Sequence, residues 1–221
     1  SWTTLLFAIV VGVIIGPLGS AFRRLARWCQ HWATHDTRVL YRMPIGFALV
    51  GIAAMSLPAL AGNGKYAAVS AFDASMGWKV LALLCALNIL ITLISLASGA
   101  FGGILTPSFS IGVMAGALAG VALAGAMGSV GNTGSTTDVL AGHIHGTPIL
   151  ACAVLGGAAF LATAQRAPLF ALLITVEFTG QGLSSIPAIA VAVIVASLPL
   201  IYPTLSKKCR GAGTFSFLTR Q

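Results

Sequence analysis

From Val80 to Thr137 the chain carries no Asp, Glu, Lys or Arg, and from Ala167 to Ser206 its only formal charge is Glu177. Uncharged sequence on this scale decides the solvent. One crossing of a bilayer takes about 20 mainly apolar residues, and these stretches hold several. Composition agrees: 57% of the 221 residues are hydrophobic and 7% charged, whereas soluble domains carry about 25% charged residues. A soluble fold of this size could not cover its surface. The sequence predicts an all-α, polytopic integral membrane protein. Its apolar segments fall near 4–22, 44–62, 80–97, 108–128, 147–164, 167–179 and 186–202.

The net charge of +8 does not indicate nucleic acid, because such a site needs a basic face on a solvated fold. Here the cations come in short runs beside apolar segments. Arg23, Arg24, Arg27, Arg38 and Arg42 are assigned to the connection between the first two segments; Lys207, Lys208, Arg210 and Arg220 follow the last. Runs of this kind mark cytoplasmic loops and tails. The domain reading is therefore a transmembrane unit over 1–206 and a short basic cytoplasmic tail over 207–221. Cys29, Cys85, Cys152 and Cys209 form no CxxC pair, so neither a disulfide framework nor a zinc site is indicated. The chain begins SWTTLLFAIV, without an initiator Met or a basic signal-peptide region, and is read as a fragment or a trimmed chain.

The stretch 55–78, with Pro58 and Gly62-Asn63-Gly64, reads as an outer loop, and Gly128–Thr137 as a second loop. Several apolar segments are too short to cross a ~30 Å core untilted, and Gly or Pro interrupts them. Tilted, broken and re-entrant helices are expected. Irregular backbone at membrane depth persists only where it is buried in protein or lines a cavity, and short broken segments point to ion or substrate sites. The break to examine is Ser98-Gly99-Ala100-Phe101-Gly102-Gly103. The small residues beyond it, Gly112, Ala115, Gly116, Ala119 and Gly120, would let helices approach closely.

Pro107 suits the first turn of a helix, where its missing N–H leaves nothing unpaired. The segment from Ile104 to Pro107 should therefore start a helix that continues through Gly120. The first amides of any helix lack intrahelical acceptors, and in lipid each unpaired group costs several kcal/mol. An anion suits such an end. The candidate binding segment is Gly103, Ile104, Leu105, Thr106 and Pro107, with the N–H groups of Ile104 and Leu105 as favoured donors. Neutral donors also suit a permeating ion, which a Lys or Arg could hold too tightly for release. The alternative is a glycine-broken helix pair capped by Ser98, Thr106 or water. Spacing alone does not separate the two.

Gly102-Gly103-Ile104-Leu105-Thr106-Pro107 resembles the G-G-x-F-x-P signature of the CLC chloride channels and chloride/proton antiporters. Ser98-Gly99 precedes it as in that family. Gln165-Arg166-Ala167-Pro168-Leu169 and Val176-Glu177-Phe178-Thr179-Gly180 resemble the R-A-P-L and E-M-T segments, and Gly62-Asn63-Gly64-Lys65-Tyr66 resembles an upstream loop. Leu105 stands where the family usually has Phe, a change that spares a backbone donor. The resemblance implies two inverted repeats around one pore, with this sequence matching the second, carboxyl-terminal repeat. The G-S-G-I-P and G-R/K-E-G-P motifs, which carry a chloride-contacting serine and a gating glutamate in the family, do not occur here.

The same resemblance implies chloride or a similar anion as the transported ligand, no cofactor, no metal site and no enzyme activity. It further implies a homodimer through 168–202, the amino-terminal half of the same protein as a partner, and a bacterial inner membrane with the C-terminus cytoplasmic. Tyr202 is the nearest match to the family's chloride-contacting tyrosine, although it needs a six-residue gap; an interfacial aromatic anchor is the plainer reading. Arg166 and Glu177 read as structural anchors, and His143 and His145 as loop residues. Competing readings are a non-CLC secondary transporter and a non-conducting membrane fragment or assembly partner. An intramembrane enzyme is disfavoured, because no nucleophile–base pair lies in the apolar runs.

Overall fold

The structure, a computed structural model, describes residues 2–32, 39–56, 78–99, 103–126, 148–180 and 185–212, with side chains over 4–31, 40–55, 78–99, 103–123, 149–180 and 185–199. Seven helices and no strand occur among them: α1 (Trp2–Trp32), α2 (Val39–Ser56), α3 (Trp78–Ala97), α4 (Leu105–Ala126), α5 (Pro148–Gln165), α6 (Pro168–Thr179) and α7 (Ile186–Ala212). Three are long and apolar enough to cross a membrane, over Thr4–His31, Trp78–Ala97 and Leu105–Leu123. Shorter apolar helices cover Leu40–Met55, Ile149–Gln165, Pro168–Thr179 and Ile186–Pro199. The expected mixture of full and short helices is present. The expected loops at 62–66 and 128–137, and the His143/His145 pair, lie outside the described residues.

Helix α4 is the centre of the assembly. Every residue from Pro107 to Ala117 is buried, which suits a helix with no polar face. Its principal partner is α5, and glycine sets their separation. A Cβ on Gly112 would lie 2.6 Å from the Phe160 Cβ, and one on Gly116 would lie 2.8 Å from the Gly156 Cα. Small residues at this spacing let two backbones touch, the usual basis of helix association in lipid. Around this pair, α1 packs on α5 and α7, and α3 packs on α4. Gly12 and Gly16 of α1 meet the α7 backbone at Ala192 and Ala196 in the same manner.

Buried hydroxyls are paired within their own helices. Thr92 Oγ1 donates to the Asn88 carbonyl at 2.7 Å, Thr175 Oγ1 to Ala171 at 2.7 Å and Ser197 Oγ to Val193 at 2.7 Å. Without water, a hydroxyl that bonds back to the preceding turn needs no other partner. Large apolar side chains face outward on the rim, among them Leu6, Val13, Leu40, Leu83, Leu169 and Leu173. Lipid, or another membrane-embedded surface, is the medium that fits them.

One expectation is corrected. The first helix does not end near residue 22 but runs on to Trp32, so Arg23, Arg24 and Arg27 are helical. Arg is a good helix former, and its stem can follow an apolar helix while its charge reaches the interface. Arg42 likewise belongs to α2 rather than to a loop. At the other end, α7 continues as far as Ala212, through the beginning of the basic stretch.

Candidate functional site

Helix α3 ends in a tight turn. Ser98 N donates to the Ile94 carbonyl at 2.9 Å, and Ser98 Oγ adds a second bond to the same oxygen at 2.8 Å. Gly99 N donates to Leu96 O at 3.2 Å, with Gly99 at φ 88°. That left-handed conformation is where glycine is favoured over other residues. The carbonyl end of α3 is thus closed by its own chain, and Ser98 is turned back onto its own helix.

Helix α4 opens as its sequence predicts. The first i→i+4 bond runs from Ser108 N to Ile104 O, at 3.0 Å. Ile104 is therefore the N-cap, and Leu105, Thr106 and Pro107 form the first turn. The N–H groups of Ile104, Leu105 and Thr106 have no acceptor within the helix, and Pro107 has no N–H. Side-chain hydroxyls in this turn point the other way: Ser108 Oγ donates to Ile104 O at 2.5 Å and Ser110 Oγ to Thr106 O at 3.0 Å. Both bonds use carbonyl acceptors.

The surroundings place this end at a boundary. Ile104 packs on a small cluster of Ala26, Cys29 and Leu96, and Leu105 on the main core. Gly103, in contrast, is exposed, and a Cβ built there meets nothing within 4 Å. The helix end is held firmly on one side and open on the other. Between α2 and α3 lies a cavity of about 340 Å³ that none of the α4 residues lines. Its lining repeats at helical spacing: Arg42, Ile45, Gly46 and Leu49 from α2, and Ile94, Ala97 and Ser98 from α3. The cavity escaped the sequence reading because it depends on which helices are neighbours. The i, i+3, i+4, i+7 spacing on α2 was the only available sign.

The second pair of motif segments is brought to the same helix. Arg166, at φ 55°, makes the turn between α5 and α6. Pro168 occupies the first turn of α6, Ala171 N bonds to Ala167 O at 2.9 Å, and Gly180 closes the helix at φ 59°. Near the end of α6, Phe178 packs edge-on against Phe109 of α4, with ring centroids 5.4 Å apart at 80°. Glu177 is exposed on α6, and Arg166 stands three turns away at the opposite end, so the two make no pair. Tyr202 lies within α7, and its side chain falls outside the described residues. Among the described residues no group of three His, Cys, Asp or Glu could hold a metal. Cys29, Cys85 and Cys152 are free and buried.

Fold and site together define a polytopic α-helical membrane protein whose central helix starts beside an exposed glycine, its first amides having no acceptor within the helix. The chain belongs to the voltage-gated chloride channel (CLC) family, whose family description, voltage gated chloride channel, matches residues 1–199. The voltage-gated ClC-type chloride channel ClcB of Escherichia coli O17:K52:H18 (strain UMN026 / ExPEC) is 26% identical over 195 residues, covering 87% of this chain and 43% of ClcB. ClcB of Escherichia coli strain K12 / DH10B gives the same identity and coverage. A crystal structure of a slow cyanobacterial Cl−/H+ antiporter superposes with a TM-score of 0.69 at 25% identity, over 95% of this chain and 48% of that one. The chain thus spans less than half the length of the relatives it matches.

Proposed function

We propose that this chain is the carboxyl-terminal repeat of an anion-transporting protein, and that chloride or a similar anion sits on the amides of Ile104 and Leu105. The observation that carries the proposal is the start of α4. Its donors have no intrahelical acceptors, the Ser108 hydroxyl bonds to the Ile104 carbonyl, and Gly103 leaves the approach open. The dipole of a helix of 22 residues adds partial positive charge at that point. Gly103, Thr106 and Pro107 complete the segment: Gly103 by leaving room, Thr106 by a further N–H, and Pro107 by starting the helix without an unused donor. Transport, rather than a chemical reaction, is the activity that such neutral donors suit. No cofactor enters this reading.

The family relatives support the wider assembly. A channel and a Cl−/H+ antiporter are both among the similar proteins, and each is about twice as long as this chain. A second, amino-terminal repeat would supply the facing wall of the site. The outward apolar residues of α6 and α7, including Leu169, Leu173, Ile194 and Leu198, suit a homodimer contact within 168–202. A bacterial inner membrane, with the basic stretch after residue 206 on the cytoplasmic side, is consistent with the positive-inside rule. Tyr202 is kept as a chloride contact only if the facing repeat brings the pore to α7.

The test uses the complete protein in vesicles loaded with potassium chloride, with efflux started by valinomycin and read by a chloride electrode. Efflux is expected. Leu105→Pro removes one donor at a helix position that accepts Pro, and should weaken halide binding by roughly 10-fold or more, the effect of losing a hydrogen bond to a charge. Leu105→Phe keeps the donor and should bind as the parent does. Absence of efflux would sink the transport reading. Equal binding by the Pro and Phe variants would sink the amide site alone.

A further inference from the structure

The basic end of α1 meets the last turn of α5. Gly19 lies against Phe160 and Thr163, and the Phe22 and Phe160 rings are 5.4 Å apart. One turn further, α1 presents Arg23, while α5 ends in Gln165 and the Arg166 turn. Burial takes water from Arg23 first of all, and Arg166 and then Arg27 are close enough to add cationic repulsion. The Arg23 side chain is half-buried, and its Nε and Nη1 are sheltered from solvent without a hydrogen-bond partner among the described residues. Gln165 Nε2 is in the same condition. Guanidinium nitrogens and an amide NH₂ only donate. Among the described residues the site is therefore a cluster of sheltered donors beside two further cations, and the one side-chain amide oxygen it contains, Gln165 Oε1, leaves the Arg23 donors unmatched. Glu177, the one described carboxylate, lies at the far end of α6.

Position selects the acceptor. The apolar span of α1 begins at Thr4, and a crossing of roughly 20 residues counted from there would end near Arg23, at the depth of phospholipid headgroups. On the next turns Leu25 and Trp28 are 47% and 60% exposed, the kind of residues that lie against acyl chains and the interface. A basic pocket between helices at this depth suits an anionic headgroup. We propose that Arg23, Gln165 and Arg166 together bind the phosphate of an anionic phospholipid. Both Arg23 nitrogens can share one phosphate, Gln165 adds a neutral donor, and Arg166 supplies charge from the adjoining turn. A free phosphate has the same chemistry but gains nothing from the apolar residues alongside.

Native mass spectrometry of the purified protein from nanodiscs of phosphatidylglycerol and phosphatidylcholine tests this. The protein should retain phosphatidylglycerol through delipidation in preference to phosphatidylcholine. Arg23→Gln should cut that retention about 10-fold, as expected for loss of a charge-assisted contact, and Gln165→Leu should cut it less. Arg24→Gln, on the exposed side of the same helix, should leave it unchanged. Unchanged retention in both Arg23→Gln and Gln165→Leu overturns the proposal. So does an equal loss in Arg24→Gln, which means a diffuse basic surface. Displacement of the lipid by millimolar inorganic phosphate also overturns it in favour of a free-anion site. Asp36 follows α1 in the sequence, outside the described residues; if Asp36→Asn and Arg23→Gln lower the thermal midpoint alike and neither alters lipid retention, a carboxylate of the protein is the occupant and the lipid assignment fails.

Discussion

Phe109 and Phe178 join the two motif-bearing parts of the chain through an edge-on ring contact with centroids 5.4 Å apart. Phe109 belongs to the second turn of α4, directly behind the proposed amide donors, and its ring also sits over Gly157, where an added Cβ would lie 2.9 Å from Cε2. The end of α6 therefore braces the helix start that holds the candidate site. Such aromatic pairs contribute about 0.5–1.5 kcal/mol beyond their buried area. A double-mutant cycle of Phe109→Leu and Phe178→Leu should return a coupling of about that size. Thermal unfolding read by thiol labelling of Cys85 and Cys152, both buried and free, measures it, and additive effects would mean the rings do not brace α4.

The α4–α5 contact should be the least tolerant of added volume. With the Gly116 Cβ position 2.8 Å from the Gly156 Cα, an added methyl group has backbone to displace and no flexible side chain to push aside. Gly116→Ala and Gly156→Ala are each expected to destabilise by about 1–3 kcal/mol, as overpacking does. Gly51→Ala, where nothing lies within 4 Å, is the control and should be neutral or slightly stabilising because Ala favours the helix. The same thiol-labelling midpoint decides, and equal midpoints for Gly116→Ala and Gly51→Ala would contradict the close contact.

At Gly103 stability and function should separate. Its Cβ position is open, so Gly103→Ala should change stability by no more than about 0.5 kcal/mol, as for other exposed substitutions. If anions reach the Ile104 and Leu105 amides past this residue, Gly103→Val should reduce chloride efflux while the unfolding midpoint stays near that of Gly103→Ala. Unchanged efflux would place the anion path elsewhere.

Much of this was legible because the relevant signals are local. Gly102-Gly103 followed by Pro107 fixes a break and a helix start within one turn, and α4 begins at Leu105. The Gly112, Gly116 and Gly120 spacing announced a close helix contact, although only the structure identifies α5 as the partner. Charge was the misleading signal. A basic run beside an apolar segment marks a loop, yet Arg23, Arg24 and Arg27 belong to α1, because a long side chain can stay helical and still reach the interface. The cavity lined by Arg42 and Ser98, and the sheltered donors of Arg23 and Gln165, both lie between segments distant in sequence. No periodicity within one segment could reveal them.

Arg166 offers a final separation of backbone strain from binding. It is the only non-glycine residue with positive φ among the described residues, at 55°, a conformation that costs an L-residue roughly 1–2 kcal/mol. Glycine adopts it without that penalty. In lipid-free detergent, Arg166→Gly should therefore raise the unfolding midpoint or leave it unchanged, since strain relief offsets the greater freedom of the unfolded chain. In phosphatidylglycerol nanodiscs the order should reverse, because the parent gains stability from a headgroup that the variant holds less well. Measuring both midpoints distinguishes the two contributions. A variant less stable than the parent by the same margin in detergent and in lipid would show that Arg166 is needed for the turn itself.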